Sequence, residues 1–135
     1  MEEPAYQMYF DGGSRGNPGP GGCGYCILKL KQPIFEGKNK LGVCTNNYAE
    51  YKGLQYGISL AIEKNIKRIA IFGDSLLIIN HMNGKWKCRH KVLRVIFDEI
   101  NVMLKSFDYI TFSHVPRARN KLADKLANEA MDSRL

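Results

Sequence analysis

The chain has 135 residues and a formal net charge of +7. This length predicts one domain over residues 1–135, because a second hydrophobic core would not fit beside the first. Hydrophobic residues at 44% and charged residues at 24% exclude a disordered or fibrous protein. No apolar run exceeds four residues, which excludes a membrane-spanning helix. The basic surplus favours a polyanionic partner, and nucleic acid is the first candidate.

Four cysteines raise the question of a disulfide or a metal site. Cys23 and Cys26 form a C-x-x-C pattern, but they lie in a predicted strand, where residues three apart point to opposite faces. They therefore cannot share one metal ion. Because a strand-like segment begins by Ala5, we expect no secretory signal. We expect reduced thiols in an intracellular protein.

The first third of the chain predicts an antiparallel meander of three strands. Residues 5–11 alternate between apolar and polar and predict a strand. Residues 12–24 are rich in glycine and proline, and predict a loop with unusual backbone angles. Residues 23–30 and 34–44 predict two further strands around a turn at Gln32-Pro33.

The remainder of the chain alternates between helices and strands. Apolar residues recur at helical spacing from Asn47 onward, and the short apolar run at 68–73 is typical of a buried parallel strand. The predicted elements are helices over 47–64, 75–82, 92–104 and 120–131, and strands over 68–73 and 109–115. The order β-β-β-α-β-α-α-β-α indicates an α/β fold, with a five-stranded mixed sheet and helices on both faces.

Four carboxylates lie where structure alone does not require them. Asp11 ends the first predicted strand and Asp74 follows the buried run, at strand ends where open α/β sheets bind ligands. Glu50 is near the apolar stripe of its helix, and Asp124 is in the first turn of the last helix. Each has an ordinary alternative as a turn residue, a helix cap or a partner of a helix dipole.

Considered together, the four carboxylates predict a metal site. Converging carboxylates repel one another and need cations to remain ionised. An all-oxygen ligand set selects Mg²⁺ or Mn²⁺, and two such ions can support phosphodiester hydrolysis. With the basic composition, this pattern predicts a nuclease.

Five segments resemble the motifs of type 1 ribonucleases H, in the same order and spacing over residues 6–131. These segments are residues 9–13, 16–22, 45–50, 73–75 and 120–127. The resemblance implies the ribonuclease H-like fold, with Asp11, Glu50, Asp74 and Asp124 as ligands of two Mg²⁺ or Mn²⁺ ions. It also implies cleavage of the RNA strand of RNA–DNA hybrids, leaving a 5′-phosphate and a 3′-hydroxyl. We expect the protein to act as a monomer.

Several residues around the first motifs are predicted to contact the hybrid. They are Gly12, Gly13, Asn17, Thr45, Asn46 and Asn47. The glycines would let the backbone approach a sugar, the amides would reach 2′-hydroxyls or the minor groove, and the threonine could donate to a phosphate. Alternatively, Asn46 or Asn47 caps the helix that follows.

The chain departs from the family pattern at two places. Many bacterial members carry glutamine two residues after the third carboxylate, where this chain has Leu76, so one polar contact with the hybrid is absent. Many members also insert an extra basic helix and loop. Here only a short basic stretch is present, in which Lys85, Trp86 and Lys87 could grip phosphates and a sugar. The alternative is a solvated charge run with Trp86 packed on the core.

His114 is a further candidate catalytic residue. It lies ten residues before Asp124, the spacing at which the family places a histidine that assists proton transfer and product release. An imidazole with a pKa near neutrality can pass protons to or from a phosphate oxygen. The alternation of Ile110, Phe112 and His114 also fits a histidine buried in the core.

Two other function classes remain open from the residues. The chain could be a hybrid- or duplex-binding module without catalysis, although all four carboxylates are present. It could also be a flavodoxin-like nucleotide-binding domain that uses the glycine-rich stretch as a phosphate cradle. That stretch lacks the Gly-Lys-Ser/Thr ending of a P-loop, so the similarity is weak.

Overall fold

A five-stranded sheet forms the centre of the molecule, for which a computed structural model describes residues 3–133. The strands are β1 (Tyr6–Ser14), β2 (Gly19–Lys29), β3 (Gln32–Cys44), β4 (Arg68–Gly73) and β5 (Tyr109–His114). Their order across the sheet is β3-β2-β1-β4-β5. The first three strands pair antiparallel, whereas β4 pairs parallel with both β1 and β5. The predicted mixed sheet is confirmed.

Four helices connect and cover the strands. They are α1 (Asn46–Glu63), α2 (Leu76–Met82), α3 (Lys91–Met103) and α4 (Lys121–Met131). The predicted helices are confirmed to within one residue at each end. The sequence did not indicate the two short 3₁₀ turns at Leu104–Ser106 and Arg117–Arg119.

The helix caps differ from those considered in the sequence. Thr45 is the N-cap of α1, and its hydroxyl accepts a hydrogen bond from the N–H of Tyr48 at 3.2 Å. The alternative that Asn46 or Asn47 caps this helix is therefore wrong. Ser75 caps α2 in the same way, so the capping role considered for the preceding aspartate is also wrong.

Most of the glycine-rich stretch is strand, which corrects the prediction of a loop over 12–24. Only residues 15–18 lie between β1 and β2, and Gly16 alone in the stretch has a positive φ, of 102°. A Cβ at Gly22 or Gly24 would lie 2.5 Å from a backbone nitrogen of α4. These glycines therefore let α4 approach β2 closely, a requirement that composition does not distinguish from a loop.

The turn between β2 and β3 also differs from the prediction. Leu30 and Lys31 form it, with φ angles of 49° and 68°, whereas Gln32 and Pro33 already belong to β3. A proline is tolerated there because β3 is an edge strand, on which one N–H need not join the ladder.

The helices pack on both faces of the sheet, as predicted. The main core lies between the sheet and α1, α2 and α3; its fully buried members include Met8, Phe10, Leu54, Ile58, Ile71, Ile78 and Ile100. On the opposite face, α4 buries Ala123, Ala127 and Ala130. No helix of the described residues is long and apolar enough to cross a membrane.

Polar contacts hold the C-terminal end of α4 against the other end of the chain. Arg15, in the loop between β1 and β2, pairs with Asp132 at 2.9 Å and also donates to Asn128 at 2.8 Å. Lys38 of β3 pairs with Glu129 at 3.1 Å. These links join residues far apart in sequence, so α4 is secured by the meander rather than by its neighbours along the chain.

All four cysteines are free thiols. Cys23 packs with Ala49 on the α1 side of the sheet, whereas Cys26 lines a cavity beside the first residues of α4. The predicted opposite orientation of this pair is confirmed.

Candidate active site

Three predicted carboxylates converge toward the carboxyl ends of the inner strands β1 and β4. Asp11 lies within β1 opposite Gly24, three residues before the strand ends, and not at its end as predicted. Asp74 directly follows β4, and Glu50 is in the first half of α1. Carboxylate oxygens of Asp11, Glu50 and Asp74 all lie within 4.8 Å of one another. The parallel pairing of β1 and β4 and the packing of α1 on β1 bring them together.

Asp124 lies beside this cluster rather than within it. Its side chain, on the first turn of α4, lies close enough to that of Asp11 to help raise the pKa of Asp11. On its other side the guanidinium of Arg117 is 3.8 Å away. About a third of the Asp124 side chain is exposed, so the fourth carboxylate forms the open rim of the site.

The cluster disfavours ionisation of its own members. Burial, followed by the charge of Asp74, raises the pKa of Asp11 to about 8, although the N–H of Gly12 donates to this carboxylate at 2.9 Å and opposes the rise. Burial also raises the pKa of Glu50 to about 7, against a hydrogen bond from the Ser75 hydroxyl. Without a cation, these two acids hold protons near neutrality.

The donor set fits divalent cations. Three carboxylates within one ligand shell supply only oxygen atoms, which Mg²⁺ and Mn²⁺ prefer. A cation would offset the burial and the repulsion that together raise both pKa values, and would let the carboxylates ionise together. Asp11, Glu50 and Asp74 could hold one ion, and Asp124 lies where it could share a second with Asp11.

Two residues to which the sequence analysis assigned no role support these carboxylates. Ser75 caps α2 and hydrogen-bonds to Glu50. The buried Asn120 donates to Asp74 at 3.3 Å. Both occur in segments that resemble the family motifs, but the sequence contains no signal that names their partners.

The predicted hybrid-contacting residues near α1 are joined in one network. Asn46 accepts hydrogen bonds from the N–H and the hydroxyl of Ser14, at 2.9 and 3.1 Å. Asn17 accepts from the N–H of Asn46 at 3.0 Å, while Thr45 and Asn47 are exposed beside them. Among the described residues, the Nδ2 groups of Asn17 and Asn46 donate to no protein atom, so they remain available to a ligand.

Gly12 and Gly13 have a structural role that the sequence analysis did not anticipate. A Cβ at Gly12 would lie 2.6 Å from the nitrogen of Glu50, and one at Gly13 would lie 3.3 Å from the methyl group of Met131. The missing side chains thus make room for α1 and α4. Any contact of these glycines with a substrate would have to come from the backbone.

The stretch between α2 and α3, residues 83–90, is called the connector below. It contains no helix or strand, and Lys85, Trp86 and Lys87 are exposed. Trp86 is 46% exposed, so the alternative that it packs on the core is wrong. Buried Cys88 anchors one end, and the carbonyl of Asn80 accepts from Lys85 at 2.9 Å at the other.

His114 is exposed at the carboxyl end of β5, so the alternative of a core histidine is wrong. It pairs with Gly73, the residue before Asp74, and therefore lies at the same edge of the sheet as the carboxylates. Buried Val115, and not His114, follows Phe112 into the protein interior. Leu76, the departure from the family pattern, is exposed at the start of α2.

Known proteins resemble this chain over most of its length. A family profile described as "Reverse transcriptase-like" matches residues 9–130. The ribonuclease HI of Halobacterium salinarum is 40% identical over 125 residues, covering 92% of this chain and 63% of that protein. The bifunctional protein Rv2228c of Mycobacterium tuberculosis is 41% identical over 125 residues, covering 91% of this chain. The chain spans only 34% of that protein.

Solved structures of these two relatives, and of a third protein, share the fold. RNase H1 of Halobacterium salinarum superposes with a TM-score of 0.91 at 38% identity, covering 94% of this chain and 97% of that one. The N-terminal RNase H domain of Rv2228c gives 0.91 at 40% identity, covering 94% and 93%. LC11-RNase H1, isolated from compost and solved with an RNA/DNA hybrid, gives 0.88 at 33% identity, covering 94% and 96%. The chain therefore belongs to the reverse transcriptase-like family of ribonuclease H domains, and the resemblance to type 1 ribonuclease H is confirmed.

Proposed function

We propose that this chain is an endoribonuclease that hydrolyses the RNA strand of RNA–DNA hybrids with two Mg²⁺ or Mn²⁺ ions. The products would carry a 5′-phosphate and a 3′-hydroxyl. The observation that carries the proposal is the convergence of Asp11, Glu50 and Asp74 within 4.8 Å, with Asp124 next to Asp11. A structural role alone does not explain buried acids that oppose one another's ionisation.

The protein's part in this reaction is to hold the carboxylates in place. When bound, divalent ions supply activation of water and stabilisation of charge on the leaving oxygen. The N–H of Gly12 fixes one oxygen of Asp11, Ser75 orients Glu50, and Asn120 orients Asp74. These contacts preorganise the site before substrate arrives, which reduces the cost of reaching the reactive geometry.

The surroundings of the site suit an RNA–DNA hybrid. The free amide donors of Asn17 and Asn46 can reach sugar hydroxyls, which distinguish RNA from DNA. On the connector, Lys85 and Lys87 present two cations to phosphates, and Trp86 offers an aromatic face to a sugar. LC11-RNase H1, of the same fold, has been solved with an RNA/DNA hybrid.

His114 completes the proposed machinery. Its exposure at the sheet edge beside Asp74 lets the imidazole meet a phosphate oxygen or a water molecule of the reaction. We assign it assistance in proton transfer and product release. The carboxylates hold the groups that perform most of the activation, so His114 assists the reaction but is not indispensable to it.

A cleavage assay with one labelled RNA strand tests the proposal. The strand is annealed to DNA, annealed to RNA or left single, and incubated with Mg²⁺, Mn²⁺ or EDTA. We expect cleavage of the hybrid only with a divalent ion, and a 5′-phosphate on the downstream fragment, detected by its sensitivity to phosphatase. Binding of the hybrid without cleavage under any of these conditions would instead show a non-catalytic binding module.

Two carboxylate variants make the assay specific to the site. Asp74→Asn should lower turnover by orders of magnitude, because the ions lose a ligand. Metal-free binding of the hybrid should remain nearly intact, because the basic residues that contact phosphates are unchanged. Asp98→Asn is the matched control, since Asp98 is an exposed carboxylate on α3 paired with Arg94. If Asp74→Asn were as active as Asp98→Asn, the assignment of the site would be wrong.

A further inference from the structure

We propose that Asn120 is a positioning residue whose side-chain amide sets the affinity of the site for divalent ions. The inference rests on the proposed function, because it concerns the metal affinity of the same carboxylates. Asn120 precedes α4 and is 1% exposed, the most buried polar residue of the described chain. It touches no reacting group itself, and acts through Asp74 and through the position of α4 against β1.

The amide of Asn120 bridges two elements of the site. Its Nδ2 donates to the carbonyl of Phe10 at 2.9 Å and to a carboxylate oxygen of Asp74 at 3.3 Å. Phe10 directly precedes Asp11 in β1. Both partners are acceptors, so the reversed amide would place its oxygen against two oxygens, and the orientation is therefore determined by the contacts.

Packing alone does not explain an amide at this position. Within residues 3–133, Oδ1 of Asn120 is buried and accepts no hydrogen bond from the protein. An unpaired buried acceptor is unfavourable, and an apolar side chain would avoid it. The two donated bonds are what the amide supplies, and one of them ends on a carboxylate of the candidate metal site.

Asn120 also lies at the start of the helix that carries the fourth carboxylate. Its carbonyl accepts the N–H of Asp124 at 3.0 Å, which begins the first turn of α4. One residue thus joins β1, the end of β4 and the helix that carries Asp124. Without the amide, Asp74 could rotate and the start of α4 could shift relative to β1. A divalent ion would then bind ligands that are less well preorganised.

Calorimetric titration of the hybrid-free protein with Mg²⁺ and with Mn²⁺ tests this role. Asn120→Ala should weaken binding of the ions by roughly 10- to 100-fold, the range for residues that orient metal ligands. Asn83→Ala is the matched control. The Nδ2 of Asn83 donates to the carbonyl of Phe112 at 3.0 Å, so it also ties a helix end to a strand, but it touches no carboxylate. Its loss should leave the affinity for the ions unchanged.

A second measurement uses the unaltered protein, in case Asn120→Ala does not fold. In nuclear magnetic resonance, the side-chain amide signals of Asn120 should shift during a Mg²⁺ titration with the same midpoint as the backbone signals of Asp11. Those of Asn83 should not move. Equal metal affinity of the wild type and Asn120→Ala, or no shift at Asn120 while Asp11 responds, would overturn this inference alone. Failure of the wild type to bind either ion would overturn the proposed function as well.

Discussion

Helix α1 lies so close to β1 that Gly12 has no room for a side chain. A Cβ there would lie 2.6 Å from the nitrogen of Glu50, and closer still to the carbonyl group of Ala49. All of these atoms belong to the helix backbone, so no change of rotamer relieves the contact. We expect Gly12→Ala to push α1 away from the sheet and to move Glu50 away from Asp11.

The size of the effect follows from the distances. Ordinary van der Waals contact is 3.4–4 Å, so α1 must move by about 1 Å along a well-packed face. Overpacking of this kind costs about 1–3 kcal/mol, and collision with backbone places Gly12→Ala at the upper end, about 3 kcal/mol. The melting temperature should fall by roughly 10 °C for a domain of this size.

Urea unfolding and the hybrid cleavage assay measure the two consequences. Gly42→Ala is the control, because no atom lies within 4 Å of its added Cβ, and its free energy of unfolding should stay within about 0.5 kcal/mol of the wild type. Gly12→Ala should lose activity beyond its loss of folded protein, since Glu50 is displaced. Unfolding of Gly12→Ala at the same urea concentration as Gly42→Ala would refute the predicted clash between Gly12 and α1.

The other predictions concern the histidine, the connector and the paired acids. His114→Ala should lower turnover by roughly 100-fold or less at an unchanged melting temperature; a loss as large as that from removing a carboxylate would contradict its assisting role. Replacing Lys85 and Lys87 with Ala should reduce the slope of log affinity against log salt by about 0.9 per lost phosphate contact, whereas an unchanged slope would show no such contact. In EDTA, the raised pKa values of Asp11 and Glu50, about 8 and about 7, mean that the folded protein holds these protons more tightly than the unfolded chain. Their stabilisation is present below the unfolded values of 3.8 and 4.5 and is lost as the pH rises through 8, so Asp11→Asn should exceed the wild type in stability at pH 9. A wild type more stable than Asp11→Asn at that pH would show that the pKa of Asp11 is not raised in the folded protein.

The elements of the fold were predictable where the pattern is local. Helical spacing and a short apolar run suffice for α1 and β4, because each element displays its own periodicity. The start of β2 was not predictable as strand, since its glycines are required by the close packing of α4, which lies about a hundred residues further along the chain. The turn was wrongly predicted at Pro33 for a similar reason, because only the complete sheet shows that β3 is an edge strand, where proline is tolerated.

The candidate site divides in the same way. Asp74 could be placed at the site from the rule for strand ends, whereas Asp11 reaches it from within β1, which the rule does not cover. The exposure of His114 could not be predicted, because the alternation in β5 does not show that the strand leaves the protein interior at its last residue. Asn120 carries no periodic signal at all, and its importance depends on hydrogen-bond partners that only the folded chain brings near.

The attachment of α4 to the meander has a consequence for how the protein is made. Asp11, Glu50 and Asp74 are synthesised before Asp124, which lies on the helix that Arg15 and Lys38 contact through Asp132 and Glu129. A growing chain can thus assemble three of the four acids on a folded sheet while the fourth is missing. Any activity that needs Asp124 begins only with the docking of the last helix. Under the proposed function, a nascent chain would therefore cleave nothing until its last helix is in place.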